Sequence, residues 1–533
     1  MPTSYGDKFA SSGLWSPQHR LVLRLLVLTG LGLGTGTVIS SYLRLKKKVG
    51  DDDGYTEEDL ISAMPSDILC SILSRLDTKD VVRTSILSSR WSNLYLFLPY
   101  YSFSCRCSFE IPFRGQCSCT AEYRKEFMTV LDRFFRMPRG AGCEKIKSFC
   151  LSLCVNRDFT CHIERWVRQI AGLGVEELTL RLCCQQHTKH ITFPLQKLLC
   201  EAAAPMLKSL HLAACILEPF NPQHPFKSLT SLRLGYIESV DVQGVLSSCP
   251  ELESLTLEYC CLPSKLFIGG GKQLKLKSLI IYRCHGGVNE ISLCAENLVI
   301  LEVQLWIDST MKFPHPTNAP KLQHVNITVM RSDDMCDIIR WVGKDCPQVE
   351  SLYLDLPFGN HACAYSLPRE VPTFGHMRQL YILMEFNELF DVTQVAALIT
   401  GCPLLQRLHL VGRGRKPCYL RIGERASLGN HHLHLHLKEV EFGGFLGLEN
   451  EVALVLYILK NALALERMVL CRDYRWYTGA SKGGRWEERK DYKGPTWLKN
   501  PPYTVTFDES KLQTIHQQLR GQAASPTAQV IVI

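Results

Sequence analysis

The sequence predicts an α/β chain in which a short helical module precedes a curved repeat solenoid. Three observations predict it. Residues 60–98 carry apolar side chains at helical spacing. Residues from about 175 to 445 repeat one short apolar unit. A glycine-rich loop and an amphipathic stretch then follow at 443–464. The bulk numbers agree: 533 residues allow two or more domains or one long array. A hydrophobic content of 46% and a charged content of 21% are those of a folded chain. The net charge of +8 is a mild excess and gives no reason to expect a nucleic-acid partner.

The helical module comes first. Ile68, Leu69, Ile72, Leu73 and Leu76 fall on one helical face, and Pro65 sits where a first turn accepts it. Asp77 and Thr78 offer a break and a new N-cap. A second pattern runs through Val82, Ile86, Leu87, Trp91 and Leu94. About forty residues seldom bury enough surface to stand alone, so this piece is expected to complete itself against a partner.

In order, the stretch reads Met64-Pro65, Ile68-Leu69, Ile72-Leu73, Ser74, Leu76, Asp80, Val81-Val82, Thr84-Ser85, Leu87-Ser88, Arg90-Trp91 and Leu94. This resembles an F-box. Met64 replaces the usual leucine, a volume-conserving change. The resemblance implies docking onto a Skp-type adaptor and, through it, onto a cullin-based ubiquitin ligase. It assigns Pro65, Ile68, Leu69, Ile72, Leu76, Val82, Leu87 and Trp91 to the set that binds the adaptor or forms the module.

The repeat unit is an aliphatic residue, two variable residues, an aliphatic, one variable residue and an aliphatic. First positions are Val175, Leu207, Leu229, Leu252, Leu276, Leu298, Leu322, Val349, Met377, Leu405 and Leu437. Their spacing of 22 to 32 residues resembles irregular plant-type leucine-rich repeats. The last two apolar residues, such as Leu255 and Leu257, share one face of a strand. Leu252 enters the same core from the preceding turn. One unit cannot cover that face, so neighbours must stack on both sides, with helices or loops on the other side of the array.

The residue between the two inward aliphatics should face the concave surface. His211, Arg233, Glu302, Asn326, Tyr353, Tyr381 and His409 occupy that position and are the candidates for contact with a protein substrate. They share no charge sign, but tyrosine and arginine favour protein contact. Three cysteines, Cys249, Cys346 and Cys402, each precede a proline and a Leu-rich unit. A recurring position predicts buried, reduced thiols in equivalent slots, and so a cytoplasmic or nuclear protein.

Residues 437–470, from Leu437 to Leu470, resemble the FBD segment found after such repeats in plant F-box proteins. The expected order is a strand, a loop with Gly443, Gly444 and Gly447, a helix from Glu449 to about Ala464, and a final strand. That helix is expected to close the solenoid. The predicted organisation is therefore an extension at 1–55, the F-box at 56–100, a linker with first solenoid elements at 101–174, repeats at 175–436, the FBD-like segment at 437–472, and a partly disordered tail at 473–533.

Residues 21–39 are apolar, and nineteen helical residues span about 28 Å, close to the ~30 Å of a bilayer core. Arg44, Lys46, Lys47 and Lys48 would keep the following chain cytosolic. A membrane helix, a mitochondrial-type presequence and an unstructured extension all remain open. Cys105, Cys107, Cys117 and Cys119 lack the usual two-to-four-residue zinc spacing, so no metal is expected. His431, His432, His434 and His436 alternate with Leu433, Leu435 and Leu437, which predicts a strand with outward histidines and inward leucines. Basic and aromatic residues at 475–503 are interrupted by Glu487, Glu488 and Asp491, which predicts a solvated tail. No phosphate loop, nucleophile elbow or His-Glu-x-x-His motif occurs, and no catalytic residue or cofactor is expected. The expected role is substrate recognition in a ubiquitin ligase. The other candidate is a membrane-tethered repeat protein with no ubiquitin role.

Overall fold

The computed structural model describes residues 64–74, 97–104, 121–136, 146–153, 160–182, 206–269, 274–305, 311–328, 332–355, 371–384, 393–412, 432–471 and 509–533, with a few isolated positions and two-residue strands between them. The chain divides into two compact units, the first ending within residues 184–206 and the second running from there to Ile533.

The first unit holds the helical module and three parallel strands. Helix α1 (Ser66–Leu73) starts directly after Pro65, whose fixed φ suits that position. Leu69 and Leu73 are fully buried, Ile72 and Trp91 nearly so. Thr78 is also buried, and its hydroxyl accepts the backbone N–H of Ser102 at 2.7 Å, tying the module to the first strand. Strands β1 (Tyr100–Ser104), β2 (Ser148–Ser152) and β3 (Glu177–Arg181) pair in register as β1-β2-β3. Helices α2 (Ala121–Arg136) and α3 (Thr160–Gly172) connect them. Tyr101, Phe103, Phe134 and Phe149 form an aromatic core with ring centroids 4.9 to 6.3 Å apart. Asp132 on α2 accepts the indole N–H of Trp166 on α3 at 2.8 Å and also pairs with Arg165. Burial pushes that carboxyl up, but the hydrogen bonds from Trp166 and Arg165 outweigh it and hold its pKa below the ordinary value.

Among the described residues the second unit holds a parallel ladder of twelve strands: β4 (Ser209–Ala213), β5 (Ser231–Gly235), β6 (Ser254–Glu258), β7 (Ser278–Cys284), β8 (Ile300–Leu305), β9 (His324–Thr328), β10 (Ser351–Asp355), β11 (Gln379–Met384), β12 (Arg407–Gly412), β13 (Glu439–Gly443), β14 (Arg467–Cys471) and β15 (Gln529–Val532). Each pairs with its neighbour in sequence order, as stacked repeats must. Every predicted first position is buried, from Val175 to Leu437. The turn before each strand also repeats. One carbonyl accepts two successive N–H groups of the next repeat, as when Thr230 receives Glu253 and Ser254 at 2.8 and 2.9 Å. Cys249, Cys346 and Cys402 occupy the same slot: each is buried, and each carbonyl accepts the N–H three residues on at 3.1 Å. Burial pushes the thiols of Cys346 and Cys402 up to about 12, which keeps them protonated.

Repeat length decides what lies behind the ladder. The connection after β9 carries helix α5 (Ser332–Asp345) and the one after β11 carries α6 (Thr393–Thr400). The shorter repeats around β6 to β8 carry instead an outer parallel pair, Lys265–Gly269 with Glu290–Cys294. A seven-residue helix, α4 (Val242–Ser248), is capped by Asp241, whose carboxylate accepts the Gly244 N–H at 3.0 Å.

In the region read as linker and first solenoid elements, β1 and β2 follow the ladder pattern with Tyr101 and Phe103, and Phe149 and Leu151, inward. Other expectations need correction. The FBD-like segment has the predicted order, β13, α7 (Glu449–Asn461), β14. Its helix does not end the array, since β15 pairs with β14 after helix α8 (Glu509–Leu519). The expected tail therefore contains a helix and the last strand. At 432–437 the expected facing holds for His432, His436 and Leu437 and fails between them. Leu433 and Leu435 are 55% and 57% exposed, while His434 is buried. His434 bridges to Ala462 and its ring meets the Tyr457 hydroxyl at 3.4 Å, so a polar partner on α7 overrides the hydrophobic pattern. Residues 21–39, Cys105 to Cys119, and Leu76, Val82 and Leu87 lie outside the described residues. Among the described residues no helix is long and apolar enough to cross a membrane, and no cluster could hold a metal ion.

Candidate interaction site

Two surfaces carry the predicted residues. On the module, α1 sorts its own side chains. Pro65, Ser66 and Ser71 are exposed, Ile68 and Cys70 are half-buried, and Leu69, Ile72 and Leu73 point into the fold. Of the predicted adaptor-binding set, Pro65 and Ile68 are thus open to a partner. Leu69, Ile72 and Trp91 support them from within.

On the ladder, strand pairing brings the predicted recognition residues into one continuous row. His211 lies opposite Arg233, Arg233 opposite Thr256, Thr256 opposite Ile280, Ile280 opposite Glu302, and Glu302 opposite Asn326. The row continues through Tyr353, Tyr381, His409 and Glu441. Neighbouring strands lie ~4.8 Å apart, so these side chains touch sideways. Their exposure divides the row. Arg233 is exposed, and His211, Glu302 and Asn326 are half-buried. Tyr353, Tyr381 and His409 are only 8%, 5% and 9% exposed. Large rings on adjacent strands cover one another: Tyr381 stacks on His409 at 4.8 Å, and Tyr353 leans on Tyr381 at 6.3 Å. The Tyr381 hydroxyl donates to Gln379 at 2.8 Å. The three rings form a rigid block, and the open part of the row runs from β4 to β9.

Charge there is locally balanced. The Arg233 guanidinium forks onto Glu258 on the next strand, with Nε donating to Oε2 at 3.0 Å and Nη2 to Oε1 at 2.6 Å. His324 on β9 lies near Glu302 and Glu350. Burial holds its pKa below the ordinary value, although the two carboxylates pull the other way.

Sequence reasoning missed a second line of residues, at the C-terminal ends of the strands. Ala214, Tyr236, Tyr259 and Arg283 all adopt positive φ, between 50° and 57°. Each stands seven positions after a repeat's first residue, at Leu207, Leu229, Leu252 and Leu276, so the recurrence was readable. The next residue in each, Cys215, Ile237, Cys260 or Cys284, turns back into the core and is fully buried or nearly so.

An F-box domain model matches residues 61–94. A leucine-rich-repeat domain model, described as At1g61320/AtMIF1, LRR domain, matches residues 138–484. This chain belongs to the F-box/LRR-repeat family. The F-box/LRR-repeat protein At3g58900 of Arabidopsis thaliana is 32% identical, over 64% of this chain and 99% of its own length. The putative FBD-associated F-box protein At5g53635 of the same plant is 24% identical, over 78% of this chain and 95% of its own. The F-box/FBD/LRR-repeat protein At1g13570 is 25% identical, over 66% and 76%. As an F-box/LRR-repeat protein, the chain has its two candidate surfaces in the two regions those models match.

Proposed function

We propose that this F-box/LRR-repeat protein is the substrate-recognition subunit of a Skp-cullin-F-box ubiquitin ligase. The module docks a Skp-type adaptor, and the open part of the ladder row docks a target protein. The observation that carries the first half is the sorting on α1: an F-box signature whose Leu69 and Leu73 are buried while Pro65 and Ile68 stay accessible. The second half is supported by the in-register row from His211 to Asn326, where arginine, histidine, glutamate and asparagine present varied polar chemistry on a fixed lattice. No side chain of this chain needs to take part in bond making. Bringing a target near a charged ubiquitin-conjugating enzyme converts an encounter between separate molecules into one within a complex, and proximity supplies the rate gain.

The test is co-purification of the full chain with a Skp-type adaptor. Wild type should retain the adaptor, and a Pro65→Ala, Ile68→Asp variant should lose it while keeping its melting temperature. Leu69→Ala is the wrong probe, because it opens a cavity in the module itself. A wild-type chain that captures no adaptor overturns the proposal.

A further inference from the structure

The last repeat ends on an unprotected strand. Among the described residues β15 has one neighbour in the sheet, β14. The N–H groups of Gln529 and Ile533 donate to the carbonyls of Glu466 and Leu470 on that side, each at 2.9 Å. Alternation along the strand then turns the N–H and C=O of Val530 and Val532 away from β14. Val530 and Val532 lie in register with Met468 and Leu470, so their side chains belong to the core rows. The equivalent pair is buried in every strand from β4 to β14, yet Val530 and Val532 are only half-buried. Ile533 beside them is 60% exposed.

Edge strands are normally kept from pairing by a charge, a proline or a bulge. The strand Gln529-Val530-Ile531-Val532 has none of these, and its β-branched residues favour extended backbone. Residues 512–533 carry a single charged side chain, Arg520, in a chain that is 21% charged. Strand β1 also pairs on one side only, but its outer edge is taken, because the Ser102 N–H donates to the Thr78 hydroxyl at 2.7 Å.

We propose that β15 pairs with the β15 of a second copy of this chain, antiparallel, about a twofold axis through Ile531. Val530 of one copy then faces Val532 of the other, and the two exchange N–H···O=C bonds in both directions. The fit is self-complementary, since each copy offers the same outward donors and acceptors at the same spacing. A twofold axis perpendicular to the sheet keeps both valine pairs on the core side, where each gains an apolar neighbour. Ile531 meets its own equivalent on the opposite face. Pairing uses up the edge of each copy, so assembly stops at two. A strand this short covers less than the ~800 Å² per partner of a stable interface, so the dimer is reversible and forms in the micromolar range.

The experiment is sedimentation velocity on the full chain, from about 1 to 200 µM. Wild type should pass from monomer to dimer across that range. Val530→Pro removes an outward N–H and no bond to β14, so it should keep the melting temperature and weaken the dimer at least ~tenfold. Ile531→Lys and Ile531→Glu should each stay monomeric, because like charges then meet across the axis. Their equimolar mixture should dimerise again, a result that only pairing of this strand with its own copy gives. A wild type that stays monomeric overturns the proposal and leaves the edge to the strand of a different protein. A dimer that Val530→Pro leaves unchanged, or a charge-swapped mixture that stays monomeric, overturns it as well. Adaptor binding through α1 does not enter, so this inference and the ligase reading fail separately.

Discussion

At the scale of single residues, two buried titratable groups oppose each other. Glu451 at the start of α7 is 0% exposed, and one carboxylate oxygen accepts the backbone N–H groups of Leu446 and Leu448 at 2.9 and 3.0 Å. Burial pushes its pKa up to about 7, against the pull of those N–H groups and of Lys511. The folded state therefore holds a proton that the unfolded chain has released, and stability falls as pH rises from about 4.5 through 7. His434 behaves in the other sense. Burial, with help from His432, holds its pKa down at about 4, so its share of stability is lost as pH falls from about 6.5 toward 4. Glu451→Gln keeps an acceptor and removes the titration. Its stability relative to wild type should climb as pH rises from 4.5 to 7, by up to about 3 kcal/mol at roughly 1.4 kcal/mol per unit. Urea unfolding across that range checks it, and a constant difference would show that Glu451 stays ionised.

At the scale of elements, turns carry the specificity. Gly444 follows β13 at φ +69°, and a Cβ there would lie 2.0 Å from the carbonyl oxygen of Gly412 at the end of β12. Both objections are to backbone, which cannot swing aside. Gly444→Ala should cost more than about 2 kcal/mol, measured by chemical unfolding, whereas Gly287→Ala, with open space around it, should cost only about 1. The glycine loop itself was legible in the sequence, as was the strand, loop, helix and strand order from 437 to 470. The placement of 433–435 was not. His434 forms an isolated bridge to Ala462 instead of part of a strand, and the Tyr457 hydroxyl on α7 gives its ring a polar partner inside.

At the scale of the second unit, stability should pass from neighbour to neighbour. Charge pairs join successive repeats, Glu253 with Lys277, Arg407 with Glu439, and Lys438 with Glu466. Such exposed pairs are worth only ~0–1 kcal/mol each, so burial of the leucine rows dominates. Met468 and Leu470 on β14 are fully buried with β15 beside them. Deleting residues 529–533 should expose that edge. Amide hydrogen exchange should then rise most in β14, less in β13, and little from β4 to β9. A uniform rise across the ladder would instead mean that the unit unfolds as one cooperative block.

The sequence by itself determined the F-box module, the parallel ladder and the identity of its facing row. Spacing of apolar residues dictates which side chains must be buried together, and stacking of units forces equivalent residues into register. Tertiary structure alone decided which members of that row stay open. Exposure depends on side chains from adjacent strands, so the rings of Tyr353, Tyr381 and His409 cover each other where Arg233 and Glu302 do not. It also decided that Pro65 and Ile68 face outward while Leu69 and Trp91 hold the module together. Residues of one apolar class are interchangeable in a pattern, and only packing against specific neighbours separates support from contact.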